Sequence, residues 1–228
     1  MKALLLAAAA AFLLPAAAQA APVNWSGPYL GVNLGYGLGH TAIDDQDCIA
    51  SCSSQNLDPN GVNLGGVAGY NWQHGAAVLG VEADYNYSDA KKEKVTDWPS
   101  LHRANINSFG SVRARAGLAV DNTLLYATVG MSIIQQDVAA VSFDSVGGPP
   151  DGGFTRNTTR VGLAAGAGAE MAVSDHWRVK MEYLYLSTPG EDDIQTQFGD
   201  TCDGGRHYCT FGYTTNVNVI RIGANYAF

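Results

Sequence analysis

Apart from residues 3–14, ALLLAAAAAFLL, no stretch of this 228-residue chain nears the ~20 apolar residues a membrane-spanning helix needs, and that run itself is too short. Charge is scarce, at 15% of residues, and 13 Lys and Arg stand against 21 Asp and Glu for a net −8. An acidic chain without a basic run argues against nucleic acid as a partner. There is no GxGxxG fingerprint; GAGAE (166–170) and GYGLG (35–39) lead no helix, so they offer no nucleotide loop. The five histidines, His40, His74, His102, His176 and His207, stand beside no Ser or Cys nucleophile motif. Glu82 and Asp84 could suggest paired catalytic carboxylates, but Arg113 and Arg115 beside them favour ion pairing. These lacks point away from an enzyme, a metal protein or a cofactor protein.

What is present begins with a leader. Lys2, the apolar run, Pro15 and the small-residue site Ala18-Gln19-Ala20 form a secretory signal peptide over 1–20. The remaining 21–228 suffice for one all-β domain.

The dominant period of that domain is two, the signature of strands with two unlike faces. In 177–186, Trp177, Val179, Met181, Tyr183 and Tyr185 oppose Arg178, Lys180 and Glu182. In 76–87, Leu79, Val81, Ala83, Tyr85 and Tyr87 oppose Gly80, Glu82, Asp84 and Asn86. In 110–118, Val112, Ala114, Ala116 and Leu118 oppose Ser111, Arg113, Arg115 and Gly117. Segments 29–37, 61–72, 123–133, 159–171 and 219–228 follow suit, the last setting Ile220, Ile222, Ala224, Tyr226 and Phe228 against Arg221, Gly223 and Asn225. That makes eight strands.

His74-Gly75, Asp121-Asn122 and Ser174-Asp175-His176 read as tight turns. Between them lie polar segments at about 40–60, 89–104, 136–157 and 188–214, expected as four long loops. Short turns at one end and long loops at the other describe an eight-stranded antiparallel up-and-down transmembrane β-barrel with periplasmic turns and extracellular loops.

A soluble lipocalin-like carrier would turn the apolar face inward instead. Three features favour the membrane arrangement. The polar face is Gly, Asn, Ser and Thr with few charges, unlike a soluble surface at roughly 25–35% charged residues. Its charges come in both signs at matching heights: Glu82 and Asp84 against Arg113 and Arg115, Glu170 against Arg178 across the 174–176 turn, Glu182 against Arg221, with Lys180 between. Buried charges need such pairing, so these nine residues are expected as an ion-pair network in the lumen. Aromatics sort by height, with Trp72, Trp177, Tyr226 and Phe228 near the turns and Tyr36, Tyr85, Tyr87 and Tyr185 near the loops, as two interfacial girdles would require.

WSGPYLGVNLGYGLG (25–39), VAGYNWQHGAAVLGVEADYNYS (67–88), GSVRARAGLAVDNTLLYATVG (110–130), AEMAVSDHWRVKMEYLYL (169–186) and NVIRIGANYAF (218–228) resemble the small eight-stranded outer-membrane proteins of Gram-negative bacteria. The nearest branch is the porin-like 25- and 31-kDa surface-antigen group, with an OmpA-type barrel. The resemblance implies residence in the cell outer membrane, a surface structural role, and outer-membrane lipids as partners. It also implies recognition of the terminal segment, with Tyr226 and Phe228, by the barrel assembly machinery during biogenesis. A small porin-like channel and an adhesin or host-factor binder acting through the loops are the alternative functions. The loops diverge within the group and carry no ligand over.

The four cysteines occur as Cys48-x3-Cys52 and Cys202-x6-Cys209 in the first and fourth loops. An even number in an exported chain reads as disulfides. Pairing within each loop closes the shortest rings, and pairing between the two loops is open because the first and last strands are neighbours in a closed barrel. Neither spacing matches a zinc site that would recruit His40 or His207.

Overall fold

The computed structural model describes residues 23–45, 55–95, 100–143, 150–188, 194–196 and 209–228. The leader lies outside these residues, as do Cys48, Cys52 and Cys202; Cys209 is the first residue of the last strand.

Ten strands occur among the described residues: β1 (Gly27–Asp45), β2 (Gln55–Leu57), β3 (Asn60–His74), β4 (Ala77–Val95), β5 (Ser100–Val120), β6 (Thr123–Phe143), β7 (Pro150–Ala172), β8 (Trp177–Thr188), β9 (Ile194–Thr196) and β10 (Cys209–Ala227). Eight of them form one antiparallel ring in the order β1-β3-β4-β5-β6-β7-β8-β10, closed by β10 on β1 from Tyr29↔Ala227 to Asp45↔Phe211. The short β2 and β9 pair only with the upper ends of β1 and β10. Closure leaves the ring no unpaired edge, which hydrocarbon would not tolerate.

The turns are two-residue links where their chemistry allows. Gly75 and Asp121 both take positive φ, 60° and 53°, the conformation that bends a strand back on itself there. The third turn is held by Ser174, whose Oγ accepts the Trp177 amide at 3.1 Å.

The apolar side of each strand points outward. Leu79, Val112, Val129, Leu163 and Ile222 are between 54% and 66% exposed. On β6 the outward apolar set runs from Leu125 to Ile133, close to the ~9–11 residues of a tilted membrane strand. Above it outward positions turn polar, and two tyrosines mark the change: Tyr183 Oη donates to Asn218 Oδ1 at 2.5 Å and Tyr185 Oη to Asn216 Oδ1 at 3.1 Å. At the turn end Trp177, Tyr226 and Phe228 form an edge-to-face aromatic chain, each pair 5.3 Å apart.

The strands run further than the alternation indicates. β4, β5, β6 and β7 continue through most of 89–104 and 136–157, which the sequence assigns to loops. Beyond the lipid the outward face meets water and turns polar while inward Ala104 and Val138 are apolar and buried, so the apolar-out, polar-in alternation lapses there although the backbone ladder continues. The β4–β5 register slips once between Tyr87 and Ala90, and the β5–β6 register once between Ile106 and Ser108.

Lipid exposure of the outer face gives a depth-dependent prediction. Val129→Arg, in mid-belt, should destabilise the barrel in lipid by about 2–4 kcal/mol, and Val120→Arg, beside the turn, by only about 0–1 kcal/mol. Reversible denaturant unfolding in vesicles measures both.

Candidate functional site: the barrel lumen

Inward positions of the middle of the barrel carry the chain's densest charge. Glu82, Asp84, Arg113, Arg115, Glu170, Arg178, Lys180, Glu182 and Arg221 are all at most 8% exposed. The turns at Gly75–Ala76 and Asp121–Asn122 set the heights of β4 and β5, so Glu82 falls directly opposite Arg113. Arg221 and Glu182 are opposed in the same way on β10 and β8.

Arg113 bridges three carboxylates. Its Nη2 reaches Glu82 Oε1 at 2.5 Å and Asp84 Oδ2 at 2.8 Å, and its Nη1 reaches Glu182 Oε1 at 3.0 Å. Arg221 binds Glu182 on the adjacent strand, Nε to Oε2 at 2.7 Å, and reaches across the lumen to Asp84 Oδ2 at 3.2 Å. Lys180 Nζ donates to Glu82 Oε2 at 3.0 Å, and Tyr29 Oη donates to the same oxygen at 2.8 Å. Ser111 and Asn86 complete the acceptance of Asp84, at 2.7 and 2.8 Å. Lower down, Arg115 pairs with Glu170 and lies 3.8 Å over the Tyr126 ring, while Asn225 Nδ2 donates to Glu170 Oε1 at 2.9 Å. The network thus joins β4, β5, β7, β8 and β10 across the axis.

One expected pair takes another form. Arg178 does not bond Glu170. Its guanidinium lies 4.6 Å over Trp25 and donates to the Asn24 carbonyl at 2.9 Å. The segment before β1 passes beneath the barrel, Trp25 N donating to Gln73 Oε1 at 2.7 Å, and offers Arg178 an aromatic face and a carbonyl at the turn end.

Apolar layers lie above and below the charges. The lower one holds Trp25, Val78, Leu124 and Tyr126. The upper one holds Ala90, Ile106, Phe109, Ile134, Ala164, Leu184, Leu186, Val217 and Val219. Strand alternation, which assigns the polar residues to the inward face, marks neither layer. The signal for the upper layer is parity: Leu184 and Leu186 share the phase of Lys180 and Glu182.

The family model of the outer membrane protein beta-barrel domain matches residues 4–228. The 31 kDa outer-membrane immunogenic protein of Brucella melitensis biotype 1 is 29% identical, over 94% of this chain and 89% of its own. The 25 kDa outer-membrane immunogenic protein of Brucella abortus biovar 1 is 30% identical, over 94% and 84%. Among solved structures, OprG of Pseudomonas aeruginosa is similar at 14% identity, covering 90% of this chain and 98% of that one, with a TM-score of 0.46.

Removing one partner of a buried pair strands the other's charge. Arg113→Leu should therefore cost about 3–5 kcal/mol. Because the two residues share one network, Glu82→Gln combined with Arg113→Leu should cost less than the sum of the single changes. Unfolding in detergent, run as a double-mutant cycle, measures the coupling, and additive costs would dissolve the pair.

Proposed function

The chain belongs to the outer membrane protein β-barrel domain family, and from that premise we propose that it is a closed, non-conducting scaffold holding β-hairpin walls above the outer membrane. Its place is the outer membrane, as the family and the curated relatives' names have it. The observation that carries the scaffold reading is the stacking inside the lumen. A bonded charge layer lies between two apolar layers, and the latter include Trp25, Leu124, Ile134, Leu184 and Val219, each at 0% exposure. An eight-stranded interior is just wide enough for side chains to fill. An ion moving along the axis would cross two dry layers and displace partners from the charge cluster between them. The porin-like alternative has no such route to offer.

The mechanism is mechanical and electrostatic. The outer belt partitions into acyl chains, the lumen network ties opposite walls together, and the extended β4–β7 wall presents its far end to the exterior. The name "immunogenic" carried by the Brucella relatives fits a surface turned outward in this way. The terminal segment has a separate part in the reading. Phe228 is 70% exposed beside Tyr226, available to the assembly machinery as the end of an alternating strand.

In planar bilayers the purified barrel should give no steady openings on the nanosiemens scale; such openings would reject the closed scaffold. Phe228→Ser should lower the amount of folded protein in the outer membrane several-fold in cells, yet leave refolding of the purified chain in detergent unchanged. Equal loss in both assays would make Phe228 a packing residue rather than a signal.

A further inference from the structure

The lower apolar layer is built in two unlike ways. Val78 stands on β4, and Leu124 and Tyr126 on β6, so three of its members are fixed in the wall. The fourth, Trp25, precedes β1 and passes under the barrel to complete the layer, with Val23 packed beside it. The ladder that holds the strands stops short of this segment. β1 enters its pairing with β3 at Gly27 and with β10 at Tyr29, and no ladder pair reaches residues 23–26. Side-chain bonding ties the segment down instead. Trp25 N donates to Gln73 Oε1 at 2.7 Å, Gln73 N donates to Ser26 Oγ at 3.0 Å, and Arg178 Nη2 donates to the Asn24 carbonyl at 2.9 Å. Ser26 N turns back to Asn24 Oδ1 at 3.0 Å, which shapes the segment without attaching it to the wall. Segments with few ladder bonds sit at the low end of local stability.

Two further features mark an arm that can swing. Gly27, at the junction with β1, has a φ of 117°, a conformation open to glycine and strained for other residues. A Cβ there would meet nothing nearer than the Phe228 carbonyl oxygen at 3.6 Å, so the backbone angle rather than lack of space calls for glycine. Hinges are a few element-terminal residues that absorb changes in such angles. At the other end of the arm, the Trp25 indole Nε1 is buried without an acceptor among the described residues. A buried donor left unbonded costs free energy that a bond to water would restore. The closed position therefore carries a penalty that the swung-out position lacks.

We propose that residues 23–26 are a hinged latch: turning about Gly27, they withdraw Trp25 and open the turn end of the lumen while the barrel stays folded. The inference rests on the closed-scaffold reading, in which the lower layer is one of two seals. With the latch out, Arg178 and, behind it, the Arg115–Glu170 pair meet water from the turn end. The upper layer draws all its members from the strands themselves and stays in place. The open form is thus a blind vestibule rather than a channel.

The test uses the full mature barrel refolded in phosphatidylcholine nanodiscs, with its heat-dependent gel shift reporting the fold. Fluorinated tryptophan is incorporated throughout, and Trp25→Phe assigns the Trp25 line in the fluorine spectrum. Saturation transfer should reveal a second, minor Trp25 line that a water-soluble gadolinium chelate broadens. Gln73→Ala removes one tether, and Gly27→Ala strains the closed hinge. Each should raise the minor population at least about fivefold, with amide exchange in β4 and β8 unchanged. A single Trp25 line shielded from the chelate in the wild type and both variants would overturn the latch. So would loss of the gel shift in both variants, which would make the segment part of the fold, or a rise matched by faster exchange throughout β4 and β8, which would be general loosening. Bilayer conductance is recorded on the same preparations: a silent barrel with one shielded Trp25 line rejects the latch alone, and a conducting wild-type barrel rejects the scaffold.

Discussion

Arg113, held between Glu82, Asp84 and Glu182, is the interaction on which the rest of the interior depends. A guanidinium at 1% exposure is tolerable only when its charge is answered, here through both terminal nitrogens. Answering it takes carboxylates from β4 and β8, on different parts of the ring. The long charged side chains must therefore meet near the axis, and the facing wall must stay thin. Glycine supplies that thinness. A Cβ at Gly69 would run into the Tyr29 hydroxyl that donates to Glu82, and one at Gly35 would press on Arg221 Cβ at 2.8 Å. Small residues on β1 and β3 and large charged ones on β5, β8 and β10 are two halves of one packing solution.

The apolar layers change what that charge cluster can do. Exposed to water, the same ion pairs would contribute little and exchange partners readily. Capped by Trp25 and Leu124 below and by Phe109, Ile134 and Leu184 above, they are locked into one arrangement. A polar lumen in a barrel is commonly read as a route for solutes; in this one the polar zone is interrupted at both ends. In the scaffold reading proposed above, function shifts from the axis to the surfaces: the lipid-facing belt that anchors the chain in the outer membrane, and the strands that rise out of it.

Much of this was legible in the sequence wherever lipid imposes an alternation. Val81, Val129 and Ile222 had to be outside because their neighbours Glu82, Thr128 and Arg221 could not be. The tight turns carried the heights, and with them the opposition of Glu82 to Arg113. Legibility failed where that constraint lapses. Above the belt the outward positions leave the lipid and turn polar, as at Lys91, Glu93, Gln135 and Asp137, so these segments read as loop although the ladder continues through them. It failed again inside, because apolar residues such as Leu184 look alike whether they face lipid or plug a lumen, and only their phase relative to Lys180 and Glu182 distinguishes them. Arg178 turned to Trp25 and Asn24 because the segment before β1 folds under the barrel, a contact that strand alternation does not encode.

The central claim is that apolar residues on the two faces of the same strands live in different media: acyl chains outside, a dry protein plug inside. Methyl-labelled protein in nanodiscs, recorded by NMR with either a lipid-chain paramagnetic tag or a water-soluble gadolinium chelate, separates the two directly. Broadening of Leu79, Val129 and Ile222 by the lipid tag, with Ile134, Leu184 and Val219 untouched by both agents, is the predicted result. Broadening of the second set by the water-soluble agent would contradict the sealed lumen, and broadening of that set by the lipid tag would turn the barrel inside out.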